Sequence, residues 1–118
     1  MKDHKRLQDI LDAIEAIERY QVASFAEFLV DSKTQDAILY NLIVIGEAAN
    51  QVSEPFRERY FQIPWSSMIG TRNVIVHGYD QVRLQVVWDI LQGDLEGLKT
   101  EVEKILASFK GESTEQHN

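Results

Sequence analysis

The run RNVIVHGY at residues 72–79 sets Arg72, Asn73, His77 and Tyr79 around three β-branched apolar residues. A neutral imidazole, whose ordinary pKa is about 6.5, can take a proton from a ribose 2′-OH near neutral pH. A guanidinium can hold the charge that develops on phosphoryl oxygens as that oxygen attacks the adjacent phosphorus. His77 and Arg72 therefore have the types needed for RNA scission to a 2′,3′-cyclic phosphate with no metal. Asn73 lies four residues before His77, shares a helical stripe with it, and could fix the histidine or the substrate through its amide. The same spacing also fits a capped helix end, with His77 near the negative end of the helix dipole and Arg72 in a surface ion pair.

Other chemistries are poorly served. The chain has no cysteine, which removes thiol catalysis, disulfides and thiolate metal ligation. His4, His77 and His117 are far apart, and no metal-ligand spacing or glycine-rich phosphate loop occurs, so neither a metal nor another cofactor is expected. His4 and His117 read as solvated end residues. Glu47 is an isolated acid in apolar company, and a surface position or a structural hydrogen bond is a better reading for it than catalysis.

The elements that must position these side chains read as helices. Leu7, Ile10, Leu11, Ile14 and Ile17 recur at i, i+3, i+4 and i+7, the spacing of an amphipathic helix. Ser24 with Glu27 has capping-box form and starts a short helix through Phe25, Phe28 and Leu29. Thr34 reads as the N-cap of a core helix running through Ile38, Leu39, Leu42, Ile43 and Ile45 to Val52. The small residues at Gly46, Ala48 and Ala49 allow another helix to approach closely. Pro55 and Pro64 each suit a first helical turn. For the run around His77, a β-hairpin competes with a helix from Pro64 to about His77 and a turn at Gly78. A lone hairpin would need a sheet that the rest of the chain does not supply, and the helix is preferred. On that helix Arg72 and His77 diverge, so they meet at one phosphate only if the helix loosens near Gly78 or a second chain contributes. From Leu84, the residues Val87, Trp88, Leu91, Leu95, Leu98, Val102, Ile105 and Phe109 give one long amphipathic helix.

At 118 residues and 44% hydrophobic, the chain fits one domain. Residues 1–110 form that domain, and the polar residues 111–118 are expected to be disordered. No signal peptide or membrane span is evident, so a cytoplasmic location is expected. The net charge of −7 weighs against a polyanion partner, but it is unevenly placed. Residues 55–83 hold Arg57, Arg59, Arg72 and Arg83 against Glu58 and Asp80, a local excess of arginine, whose fork suits phosphate.

With these residues in view, the chain from about Leu7 to Leu106 resembles the HEPN superfamily in its HepT-like branch. The resemblance rests on IGEA at Ile45 to Ala48, IPW at Ile63 to Trp65, RNxxxHGY at Arg72 to Tyr79 and VVW at Val86 to Trp88. It implies an all-α up-and-down bundle of about four to five helices and a homodimer with two motif copies lining an interface cleft. It further implies metal-independent endoribonuclease activity as a toxin, with an RNA substrate, either tRNA or mRNA. Arg72, His77 and Tyr79 fall on the three named positions of the family's R-x4-H-x-Y motif, and Asn73 on the polar residue that follows its arginine. By the same resemblance, an MntA-like nucleotidyltransferase antitoxin silences the ribonuclease by transferring AMP to Tyr79. The alternative is a noncatalytic nucleotide- or RNA-binding accessory subunit of that transferase. Position 83, often acidic in similar sequences, is Arg83, which leaves Asp80 as a substitute cap for the last helix.

Overall fold

The apolar stripe of the N-terminal segment becomes helix α1, Lys2–Glu18, burying Leu7, Ile10, Ala13, Ile14 and Ile17 while its acids face outward. This computed structural model describes residues 2–20 and 22–117, with side chains as far as residue 110. Helix α2, Phe25–Leu29, starts on Ser24, whose hydroxyl accepts the Glu27 N–H at 3.2 Å. The Glu27 carboxylate takes the Ala23 N–H at 3.3 Å, one residue earlier than a strict capping box would.

Helix α3, Ser32–Gln51, lies between α1 and the later helix at residues 65–77 and carries buried residues on more than one side, among them Ile38, Leu39, Leu42, Ile45 and Ala49. Its cap corrects the sequence reading. Asp31, three residues before the expected Thr34, accepts the Thr34 N–H at 3.1 Å and the Thr34 hydroxyl at 2.7 Å. A carboxylate offers two acceptor oxygens, so one Asp satisfies both donors and begins the helix a turn sooner. These hydrogen bonds, first the side-chain one, hold the Asp31 pKa below its ordinary value.

Helix α4, Glu54–Arg59, is capped by Ser53 and has its proline in the first turn, as expected. Asp3 of α1 accepts both the Ser53 N–H at 2.8 Å and its hydroxyl at 2.7 Å, tying the start of α1 to the start of α4. Helix α5, Trp65–His77, takes the stretch for which a hairpin was the rival, and no strand occurs among the described residues. Met68 and Ile75, seven apart, are buried, whereas Val74 and Val76 are exposed.

A 3-10 turn at Tyr79–Gln81 follows Gly78, and then α6, Leu84–Asp89, begins with Arg83 at its N-cap. No side chain caps it, so Asp80 does not take that role. The expected single long helix is instead α6, a π-helical turn at Ile90–Asp94, and α7, Leu95–His117. Val87 and Leu95 are both core residues and eight positions apart, which in a regular helix would set them about 80° out of line. A π turn takes up one extra residue and restores the shared face. The backbone of α7 runs past residue 110, while the side chain of His117 and all of Asn118 lie outside the described residues. His4, read as a solvated end residue, instead sets its ring 5.3 Å from that of Phe109. Among the described residues, no helix is long and apolar enough to cross a membrane.

Candidate functional site

Helices α3 and α5 run antiparallel, since Asp36 near the start of α3 meets Tyr79 just beyond the end of α5, while Gly46 and Glu47 meet Arg72. They approach closely at Gly46. A Cβ there would collide with the Arg72 Cβ and would fall 2.7 Å from the Met68 carbonyl oxygen. The expectation that small residues in IGEA admit a neighbouring helix is met at Gly46, and the neighbour is the helix that carries the motif.

That contact presses Arg72 against the next residue of α3. The Arg72 Nε–H donates to Glu47 Oε1 at 2.5 Å, and its Nη2 lies 2.5 Å from the same oxygen. Nη1 donates to Asn73 Oδ1 at 2.9 Å. Glu47 is thus the structural hydrogen-bond partner that the sequence reading preferred, and the group it holds is the guanidinium of the motif. Asn73 contacts Arg72, not His77. A guanidinium has five N–H donors in a planar fork, so an arginine held this way still offers donors to an incoming phosphate. The Arg72 side chain keeps 27% of its surface exposed.

His77 is the last residue of α5 and exposed, and its side chain has no hydrogen-bond partner among the described residues. Helix α5 stays regular to His77, which puts Arg72 and His77 about 140° apart around its axis. A loosened helix end therefore does not bring them together within one chain.

Tyr79 follows on the 3-10 turn, is 59% exposed, and donates its hydroxyl hydrogen to Asp36 Oδ1 at 2.9 Å. The hydrogen bond to Asp36, its negative charge and partial desolvation raise the Tyr79 pKa above the ordinary phenol value.

Sequence reasoning missed Asp36 and Tyr40. Asp36, Tyr40, Ile43 and Glu47 recur at i, i+4, i+7 and i+11 and so share one stripe of α3. Asp36 and Glu47 anchor the two motif residues, and Tyr40 lies between them with 65% of its surface exposed. The signal was that stripe, acidic at both ends and aromatic in the middle, on a helix otherwise read as core. Beside the site, Val74, Val82 and Val86 help to line an open, largely apolar groove of about 420 Å³ between α5 and α6.

Comparison with known proteins follows the same residues. The family described as "Ribonuclease HepT-like" matches residues 10–105. A protein named "Probable ribonuclease HepT" from Thermococcus cleftensis is 37% identical over 106 residues, covering 88% of this chain and 96% of that one. A Methanocaldococcus jannaschii protein named as an RNase is 36% identical over 107 residues, covering 90% of this chain and 88% of its own. A Caldanaerobacter subterraneus protein, also named as an RNase, is 31% identical over 105 residues, covering 88% and 94%. No solved structure matches significantly.

Proposed function

Since the chain belongs to the HepT-like ribonuclease family, we propose that it is a metal-independent endoribonuclease toxin acting through Arg72 and His77 in a dimer-interface cleft. The observation that carries this reading is the pairing of a braced cation with a free base. Glu47 and Asn73 hold the Arg72 guanidinium at the protein surface, and a residue or two beyond the same helix turn His77 stands exposed with nothing to do structurally.

Fixing the guanidinium before substrate arrives removes the cost of ordering it later, which is how a preorganised donor stabilises developing phosphoryl charge. His77 takes the 2′-OH proton, the 2′ oxygen attacks the neighbouring phosphorus, and the 5′ oxygen leaves. His77 of a second copy can then protonate that leaving oxygen. The exposed apolar groove around Val74, Val82 and Val86 supports such a pairing, because contiguous apolar surface beside a polar site marks an interaction face.

In the same reading, a cognate nucleotidyltransferase silences the enzyme by transferring AMP to Tyr79, setting phosphates where substrate phosphates would sit. The mechanism is tested with an RNA carrying a single 2′-deoxy residue at the scission point. It resists cutting while the flanking linkages are still cleaved, and equal cleavage of the deoxy substrate rules the 2′-OH route out.

Tyr40 suits a stacking platform for a substrate base, since it is exposed on the stripe that holds both Asp36 and Glu47. Stacking a base on an aromatic ring contributes about 1–3 kcal/mol. Tyr40→Ala in the His77→Ala background therefore weakens RNA binding about tenfold or more, read by fluorescence anisotropy at fixed salt, whereas Tyr40→Phe retains it.

A further inference from the structure

We propose that Asp36 is the proton acceptor for nucleotidyl transfer to Tyr79, so that the acceptor chain carries its own base for its modification. This rests on the reading of Tyr79 as the AMP acceptor and adds to it a residue that the R-x4-H-x-Y motif does not contain.

The two side chains are 43 residues apart in sequence and meet only because α3 and α5 are antiparallel. Asp36 Oδ1 lies 2.9 Å from the Tyr79 hydroxyl oxygen and accepts its hydrogen. That distance is within the reach required of a general base. With the O–H directed at Asp36, the phenolic lone pairs face away from it, and with 59% of Tyr79 exposed they are open to an incoming triphosphate. A phenol whose pKa is raised is essentially un-ionised near neutral pH, so it needs a base as the new bond forms.

The Tyr79 phenolic oxygen attacks the α-phosphorus of a nucleoside triphosphate, forming a Tyr–O–P bond. The bond between the α-phosphorus and the bridging oxygen to the β-phosphate breaks, and pyrophosphate leaves with that electron pair. The phenolic proton passes to Asp36 Oδ1 and from there to solvent. This is the role an aspartate plays toward a substrate hydroxyl in protein kinases. The product retains no hydrogen to donate and bears a phosphodiester charge beside the Asp36 carboxylate. Repulsion then turns the nucleotide away from α3, freeing it to lie across the site it blocks.

The test uses the full chain with ATP, Mg²⁺ and its cognate nucleotidyltransferase, following AMP on Tyr79 by intact mass and peptide mapping. Asp36→Asn keeps the size and an acceptor oxygen but cannot take the proton, so it separates proton transfer from mere positioning. Asp36 is exposed, and circular dichroism checks that each variant is folded as the unaltered chain is. The expected result is modification of Asp36→Asn slowed by about 10²- to 10⁴-fold, with partial recovery in Asp36→Glu. If the unaltered chain is modified on Tyr79 and Asp36→Asn is modified equally fast, the assignment of Asp36 is overturned while the AMP reading stands. If the unaltered chain takes no AMP on Tyr79, the AMP reading itself fails and the role of Asp36 falls with it.

Discussion

Alanine at position 77 lowers RNA cleavage by about 10²- to 10⁴-fold, the contribution typical of a positioned general base, and leaves the melting temperature and oligomeric state as they were. The contrast follows from where His77 sits. It is exposed at the end of α5, and its imidazole makes no hydrogen bond among the described residues. The helix is closed by backbone, the Gly78 N–H donating to the Val74 carbonyl at 2.8 Å, a bond that does not involve the imidazole. Surface substitutions away from caps and networks usually stay within about 0.5 kcal/mol. Cleavage is read by gel from a labelled RNA and stability by thermal melting of the same preparation. Growth on expression without the partner should recover in parallel. Cleavage and growth inhibition that survive the substitution would remove His77 from the reaction, whereas an unaltered chain that cuts no RNA would favour the noncatalytic accessory subunit.

The fold was largely legible because its signals are local and repeat. The spacing of Leu7, Ile10, Ile14 and Ile17 specifies a buried stripe whatever the rest of the chain does, and α1 follows it. The choice of helix over hairpin for residues 65–77 needed only the absence of other strands. The misses are of two physical kinds. Asp31 and Thr34 are both good caps, and which one begins α3 depends on a carboxylate reaching two donors at once. The π turn at Ile90–Asp94 sets Val87 and Leu95 on one face, and whether two apolar residues eight apart must share a face depends on what they pack against, which no single-helix periodicity contains.

For the site, the motif residues could be named from the sequence, and Glu47 as an acid suited to a structural hydrogen bond, but not which support meets which motif residue. Glu47 lies 25 residues from Arg72, and Asp36 lies 43 from Tyr79. Each pair is set by the register of two antiparallel helices. Those helices approach closely at Gly46, whose smallness was legible and whose partner was not.

Gly46→Ala tests that register directly, because two effects of the same methyl group have opposite signs. In an open helix position, alanine is favoured over glycine by about 0.8–1.0 kcal/mol. Gly97 in α7 is such a position, with nothing within 4 Å of where a Cβ would stand, so Gly97→Ala should raise the melting temperature slightly. At Gly46 the added carbon meets the Arg72 Cβ and the Met68 carbonyl, and the latter is backbone that cannot rotate aside. Helix α5 must move away from α3, and overpacking of this kind costs about 1–3 kcal/mol, enough to outweigh the propensity gain. The melting temperature of Gly46→Ala should therefore fall by about 5 °C or more. Cleavage should fall further than stability alone explains. The same displacement draws Arg72 from Glu47, and a misplacement of about 1 Å at a reacting centre can cost roughly 10²-fold. Measured below its lowered melting point, where the chain is fully folded, the variant should bind RNA yet cut it poorly. A Gly46→Ala protein that melts higher and cuts normally, as Gly97→Ala should, would mean that α3 and α5 do not meet at this glycine and that Arg72 is not held by Glu47.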